Sequence, residues 1–392
     1  MCDLRRLAKI SKLIGASLIL AGGAAATSDD RVPEPFRGAT AGSPFVVQYD
    51  DLDYIYKKSV MRTGASDRSR APKARPPIGT RISRSNPKST RLEGNRVNFD
   101  IFRGDNLALV SRIRRELEAI PGVLPMVQWR REEQLAFWLN LYNLTVIEQV
   151  ALIYPETNLK KLHRARGSEP ALLDRKLLTV AGIALSLNDI QHKILIPKFR
   201  NPLVMYGLFQ GYVGSPNMRA EAYTGKRVFD QLEANAKEFI NSNRGNQIDS
   251  SLMRVSALYD VNRVLFPEWQ DSLKRHFAYY GDWVLKGRIE GVRRVKANIT
   301  DWYIADLHGG HKGLATAANT NPAALVSRNA LPEGYEPFRL INKMQTGTRF
   351  PVHVVEYLER LKQRNVKQRR GNVVLEPVKK KKDAPEEDGF IG

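Results

Sequence analysis

Glu133-Gln134-Leu135-Ala136-Phe137-Trp138-Leu139-Asn140-Leu141-Tyr142-Asn143 is the stretch on which the fold turns. Within 131–154, Leu135, Trp138, Leu139, Tyr142, Val146 and Val150 recur every three or four residues, which predicts a long helix with one apolar face. Pro155 ends it. Towards the N-terminus, 105–120 reads as a second helix, with Asp105 as N-cap and Pro121-Gly122 as its stop. Residues 96–102 alternate Val97, Phe99 and Ile101, as a strand or as the lead into that helix. Residues 46–61 place Leu52, Ile55, Tyr56 and Val60 at helical spacing. Towards the C-terminus, 177–187 reads as a short hairpin turning at Ala181-Gly182, and 188–196 returns to helical spacing. Asn201-Pro202 signals a turn before 203–209, an apolar run expected to be a buried strand. Residues 226–241 predict an amphipathic helix, 252–258 a strand and 267–285 an aromatic-rich helix. Helices and short strands alternate without regular βαβ spacing. The expected fold is therefore α+β, a helix-rich single domain packed around a small mixed or antiparallel sheet.

The ends differ from this body. Arg5, Arg6, Lys9 and Lys12, the apolar run 13–20 and Ala24-Ala25-Ala26 give 1–26 the form of a cleaved signal peptide, with an uncleaved membrane anchor as the alternative. Export to the periplasm or beyond is the resulting expectation. The only cysteine, Cys2, would leave with the signal, so the mature chain could form no internal disulfide and use no thiol nucleophile. Residues 27–44 are rich in Pro, Gly and Ala and read as a flexible lead-in. The main domain is placed at 45–312, interrupted by a Pro-, Ser- and Arg-rich insert at 63–91 expected to be disordered. Residues 313–392 read as a low-complexity basic tail with one short helix at 351–364.

Charge is segregated. The chain has 392 residues and a net charge of +21. The segment from Arg62 to Arg96 holds ten basic and two acidic residues, and so does the segment from Glu359 to Lys382. The signal is basic too, and the remainder is close to neutral. Basic appendages on a near-neutral body fit attraction to an anionic membrane or envelope surface. No motif points to nucleic acid.

The motifs for metal, phosphate or nucleophile chemistry are missing: there is no HExxH, P-loop, GxGxxG after a strand, or GxSxG. His308 and His311 are separated by Gly309-Gly310, a loop spacing that argues against a metal pair, and no metal or cofactor is expected. Glu133, Asn140 and Asn143 fall on one side of the long helix. Buried amides must be hydrogen-bonded. They either fix the backbone of a neighbouring loop or line a cleft, which makes Asn140 and Asn143 candidate binding residues. Gln210-Gly211-Tyr212-Val213-Gly214-Ser215-Pro216 follows the apolar run, and Gln210 and Tyr212 join the binding candidates. Ser215 is a candidate nucleophile if a base reaches it, with His192 first and a carboxylate such as Glu148 second.

The helix 133–143 resembles the hallmark helix of the bacterial domain of unknown function 547 family. Leu185-Ser186-Leu187-Asn188-Asp189-Ile190-Gln191-His192 is similar to that family's Leu-Ser-Leu-Asp-Asp-Ile-Glu-His segment. The block from Asn201-Pro202 through Ala222-Tyr223 and Gln231-Leu232 to Ile240 resembles the one that follows. The resemblance is best over 128–240 and implies no established activity. Many members read approximately His-Phe-Ala-Leu-x-Cys-Gly-Ser-x-x-Cys-Pro at the loop. Met205, Gln210 and Ser215 stand here in place of the His and the two Cys, while Gly211 and Pro216 match. The chain thus looks like a divergent member lacking the cysteine pair.

The leading expectation is a non-catalytic envelope protein that binds a peptide, glycan or protein partner, with basic arms on an anionic surface. A hydrolase using Ser215 with His192 or a carboxylate is one alternative. A structural or assembly factor without ligand is the other.

Overall fold

The computed structural model describes residues 31–72 and 86–311. The signal at 1–26, the middle of the insert at 73–85, the tail at 313–392 with its helix at 351–364, and the basic segment from Glu359 to Lys382 lie outside the described residues.

In chain order the elements are α1 (Asp50–Ser59), β1 (Val60–Met61), β2 (Arg96–Val97), α2 (Asp105–Val123), α3 (Arg131–Ile153), β3 (Leu178–Val180) and β4 (Ile183–Leu185). Then come α4 (Leu187–Asp189), α5 (Ile196–Phe199), α6 (Val228–Ile240), β5 (Asn246–Asp249), β6 (Leu252–Ser256), α7 (Leu258–Val261), α8 (Trp269–Tyr280), α9 (Trp283–Ile289) and β7 (Arg294–Ile299). This is an α+β fold. The largest sheet has the order β5-β6-β7, antiparallel between β5 and β6 and parallel between β6 and β7. β1 pairs with β2 and β3 with β4, both antiparallel. The hairpin turns where the sequence places it, with Ala181 and Gly182 both at positive φ.

α3 is the core. Its side chains from Glu133 to Glu148 are buried on every face rather than on one stripe. By length and composition it could cross a membrane, but it is wrapped by the rest of the protein. Phe36 stands edge-on to Trp138 at 4.9 Å, and Trp129 to Phe137 at 5.3 Å. α2 crosses α3 and is tied to it by Arg114 Nε on Glu148 Oε2 at 2.6 Å.

Several expectations are corrected. α2 begins at Asp105 itself. Gly104 occupies the cap position at positive φ, and no side chain caps the helix. α2 also passes Pro121 to end at Val123, because a proline in the last turn forfeits only one hydrogen bond. The apolar run 203–209 is not a strand but a 3₁₀ helix, Pro202–Gly207. Asn201 Oδ1 accepts from Leu203 N at 2.9 Å and Pro202 pre-sets the first turn, whereas apolar content alone cannot separate strand from helix. That 3₁₀ helix wedges between α3 and α6. A Cβ on Gly207 would lie 2.7 Å from methyls of both Leu139 and Leu232.

Helix 187–199 starts with a capping box, Ser186 with Asp189. It then opens into a π turn at Ile190–Leu195, where Ile196 N donates to Gln191 O. Pro197 has no N–H and its ring crowds the carbonyl four residues back, so the widened turn admits it. The predicted helix at 267–285 breaks at Gly281-Asp282 into α8 and α9.

The described part of the lead-in is built into the core. Val32 and Phe36 are fully buried, and the buried Lys198 ammonium donates to Phe36 O and, at 2.8 Å, to Gly38 O. The described flanks of the insert are likewise held. Arg68 Nη2 donates to Asn246 O and Oδ1 at 3.0 and 2.8 Å, Thr90 Oγ1 to Asp301 Oδ2 at 2.7 Å, and Ala71 N to Ser89 O at 2.9 Å. Composition misleads there, because polar side chains that bond to the body stabilise order as apolar ones do.

Candidate functional site

Four amides organise the centre of the molecule. Asn140 Nδ2 donates to Tyr223 O at 2.8 Å, and its Oδ1 accepts from Tyr223 N at 2.9 Å. Asn143 makes the same pair with Gly207 O at 2.9 Å and Phe209 N at 3.0 Å. From α6, Gln231 joins Ala222 O at 2.8 Å and Thr224 N at 3.1 Å, and Asn235 Nδ2 reaches Tyr206 O at 3.0 Å. A carboxamide offers one donor face and one acceptor, matching a peptide's C=O and N–H. The irregular segment 206–224 is therefore clamped between α3 and α6. Of the two roles open to Asn140 and Asn143, the structure shows the backbone-fixing one. Glu133, on the same side of α3, is buried beside Gly225 and pairs with Arg130 at 3.0 Å; burial raises its pKa.

The Ser215, Gln210 and Tyr212 side chains bond within the Gln210–Pro216 loop. Ser215 is 1% exposed. Its hydroxyl donates to Tyr212 O at 2.7 Å and accepts from Gln210 N at 3.3 Å. Tyr212 Oη donates to Gln210 Oε1 at 2.5 Å. His192 is exposed on the π turn and shares no hydrogen bond with Ser215. Glu148 is engaged by Arg114 and Ser111 on the α2 side of α3. Neither base is hydrogen-bonded to the serine.

Sequence reasoning missed three residues at this loop. His163 Nε2 meets Gln210 O at 3.0 Å, and its ring stands edge-on to Tyr212 at 5.1 Å, with Trp302 at 5.6 Å. A carbonyl partner requires the proton on Nε2, and burial pushes the imidazole down to about 4. The third is Arg244, 1% exposed. Its guanidinium donates to Val213 O at 3.1 Å, to Ser215 O at 2.9 Å and, through Nη2, to both oxygens of Glu238 at 2.7 Å. Gly94, at positive φ, makes room for it; a Cβ there would lie 2.7 Å from Nη1. Nothing in the spacing of Asn243-Arg244-Gly245-Asn246 marks this arginine out from a turn residue.

The open feature is elsewhere. A groove of about 1440 Å³ runs between α1 with the chain following β1 on one side, and α6 with 217–221 on the other. Asn95, Asn217 and Asn235 form its floor, and each is already bonded within the protein: Asn95 N donates to Asn217 Oδ1 at 2.8 Å, and Arg219 Nη1 to Asn235 Oδ1 at 3.0 Å. The rim carries Lys57, Lys58, Arg62, Arg219 and Lys237 against Glu221, Glu238 and Asp282. Arg219 pairs with Glu221, and Glu238 with Arg244. Lys58 and Arg62, both exposed, make no ion pair among the described residues.

Residues 126–240 match the family model described as protein of unknown function, DUF547. No curated protein and no solved structure matches the chain. The DUF547 match takes in α3, the π turn, the 3₁₀ wedge, the loop and α6, the parts whose residues carried the resemblance. It contains no cysteine. The DUF547 region supplies the α6 wall of the groove, whereas Tyr54, Lys58, Arg62 and Asn95 come from outside it. Arg244 and His308 also lie outside.

His308 is buried and His311 exposed. His308 N donates to Asp306 Oδ2 at 2.9 Å, and burial raises the pKa of the Asp306 carboxyl despite the facing His308. Among the described residues no group of three or more His, Cys, Asp or Glu is placed to hold a metal ion.

Proposed function

We propose that this is an exported envelope protein that acts by binding, and that its groove takes an extended anionic chain such as an acidic glycan or acidic peptide. The observation that carries the reading is the groove itself. At about 1440 Å³ it exceeds the roughly 300–1,000 Å³ typical of small-molecule pockets, so its size suits a chain rather than a metabolite. The floor is fixed by amides already paired within the protein, a pre-organised surface that costs little ordering on binding. The wall formed by α1 and the chain after it contributes Lys57, Lys58 and Arg62, whose charge favours an anionic occupant. In the segment from Arg62 to Arg96, Arg91 and Arg96 are buried and Arg68 is bonded to Asn246, so its remaining cations, with the segment from Glu359 to Lys382, would then hold the protein near an anionic surface, and salt would weaken that attachment.

The test is titration of the full chain with polyglutamate and with a carboxylated polysaccharide at low salt. Lys58→Glu with Arg62→Glu is expected to weaken binding at least tenfold, as two charge reversals against a polyanion should. Equal affinity of the variant and the parent for both probes would overturn the assignment.

A further inference from the structure

The corner between α8 and α9 borders the groove through Asp282 and Asn241, but its outward-facing side chains do not line it. Leu273, Phe277, Leu285 and Ile289 face the core from these two helices. On the outside, Trp283 is 84% exposed and Tyr279 73%, and Val284, next to Trp283 in the chain, is also exposed. The corner is held firmly. Asp282 Oδ1 caps α9 by accepting from Leu285 N at 2.8 Å, and Asn241, at the end of α6, bonds Tyr280 O at 3.1 Å and Asp282 N at 2.8 Å. Two large aromatic rings are thus presented outward by a braced turn. A fixed aromatic tip costs less entropy to engage than a flexible one.

The chain that follows is basic. Lys286, Arg288, Arg293, Arg294 and Lys296 are all exposed, against the acids Asp282 and Glu290 over the stretch from Asp282 to Asn298. Arg294 and Lys296 lie on β7, an edge strand of the three-stranded sheet. Lys286, Arg293, Arg294 and Lys296 make no ion pair among the described residues.

We propose that the α8–α9 corner is a membrane-contact site that seats Trp283 and Tyr279 at the headgroup level of an anionic lipid bilayer, with Lys286 and the basic chain into β7 as its electrostatic complement. Trp and Tyr combine an apolar body with a polar edge and partition to that level. Lys286, on α9 with Trp283, gains from anionic headgroups, and the β7 cations, on the chain that bonds the start of α8 through Val295 N and Gln270 Oε1 at 3.3 Å, add attraction at longer range. A protruding tip needs no matching cavity in a fluid surface, whereas three side chains fall well short of the roughly 800 Å² per partner that a stable dimer buries. Trp283, Tyr279 and Lys286 are not among the groove-lining residues, and the site does not require the basic segments at 62–96 and 359–382 to touch the same surface.

The experiment compares full-length protein with Trp283→Ser/Tyr279→Ser and with Lys286→Glu/Arg294→Glu. Vesicles of phosphatidylcholine mixed with phosphatidylglycerol are set against vesicles of phosphatidylcholine alone. Both double variants are expected to lose about tenfold in partition to the mixed vesicles. Brominated lipid is expected to quench the parent's tryptophan emission, and the quenched component is expected to vanish in Trp283→Phe. All substituted side chains are exposed, so the urea midpoint should not move, which separates lost binding from lost folding. Parent-like partition of Trp283→Ser/Tyr279→Ser, or emission untouched by brominated lipid, would overturn the site. So would a protein dimer that Trp283→Ser dissociates and that ignores vesicles, because the corner would then serve a second copy of the chain.

Discussion

The loop 210–216 and the groove wall formed by 54–66 are both polar, and they use polarity in opposite ways. In the loop, Ser215, Gln210 and Tyr212 bond to one another and to backbone, and Arg244 closes over two of its carbonyls. In the wall, Lys58 and Arg62 project beside an open volume without an acidic partner among the described residues. Buried polar groups left unpaired are costly, so the loop has been driven to internal satisfaction, whereas exposed cations carry no such demand and stay available. Residue types that look chemical are thus structural in one region, and residues that look like ordinary surface are the ones free to meet a ligand.

Arg244→Ala is expected to cost the most. The substitution strands the buried Glu238 carboxylate, already raised in pKa by burial, and two loop carbonyls. Removing one partner of a buried ion pair costs about 3–5 kcal/mol. Urea unfolding should register that loss. A loss below about 1 kcal/mol would mean that the loop does not depend on internal bonds.

Acid should act on the same interior. His163 and His276 are each pushed down to about 4 by burial, and His276 Nε2 lies 2.8 Å from the Tyr206 hydroxyl. Above the ordinary value near 6.5 both rings are neutral folded and unfolded, and stability is flat from this source. As pH falls from about 6.5 towards 4, the unfolded chain binds protons that the folded chain refuses, so stability is lost, by about 3 kcal/mol per histidine. Denaturation midpoints across that window should slope less in His163→Gln and in His276→Gln. A slope identical to the parent's would show that these rings are not held neutral.

Asn143→Ala comes next. It leaves Gly207 O and Phe209 N without their partners in a buried wedge, at a cost of about 1–3 kcal/mol for each stranded group. Asn140→Ala should resemble it at Tyr223. A cost confined to a few tenths would return these amides to the role of cleft lining.

How much of this was legible beforehand follows from what each signal encodes. The long helix, the Ala181-Gly182 hairpin and α6 were readable because periodicity and turn chemistry are local. The 3₁₀ wedge was not, since an apolar run has the same composition in a strand and in a helix, and the form is set by the Asn201 cap, by Pro202 and by packing against Leu139 and Leu232. The loop position was legible and its chemistry was not. His163 lies 47 residues before Gln210, a separation that no local pattern bridges. Arg244 was invisible for the same reason, since its partners Val213 and Glu238 meet only in the folded chain. The flanks of the insert misled because composition reports how apolar a segment is, and not whether its polar groups find partners; the lead-in misled because Val32 and Phe36, set among Pro, Gly and Ala, are buried in the core.

Lys58→Ala and Arg62→Ala remove exposed charges that support nothing inside the protein, so each should shift the unfolding free energy by less than about 0.5 kcal/mol. Lys58 has one further contact, its ammonium 5.9 Å from the Tyr54 ring centre, and an exposed cation–π pair contributes no more than about 0.5–1 kcal/mol. Relief of repulsion with neighbouring Lys57 acts in the opposite direction. Near-parental stability in both variants, beside a collapse in Arg244→Ala, would establish the groove wall as surplus to folding. A loss above about 1 kcal/mol at either position would place these cations with the loop, as parts of the scaffold, and would leave the groove without residues reserved for a ligand.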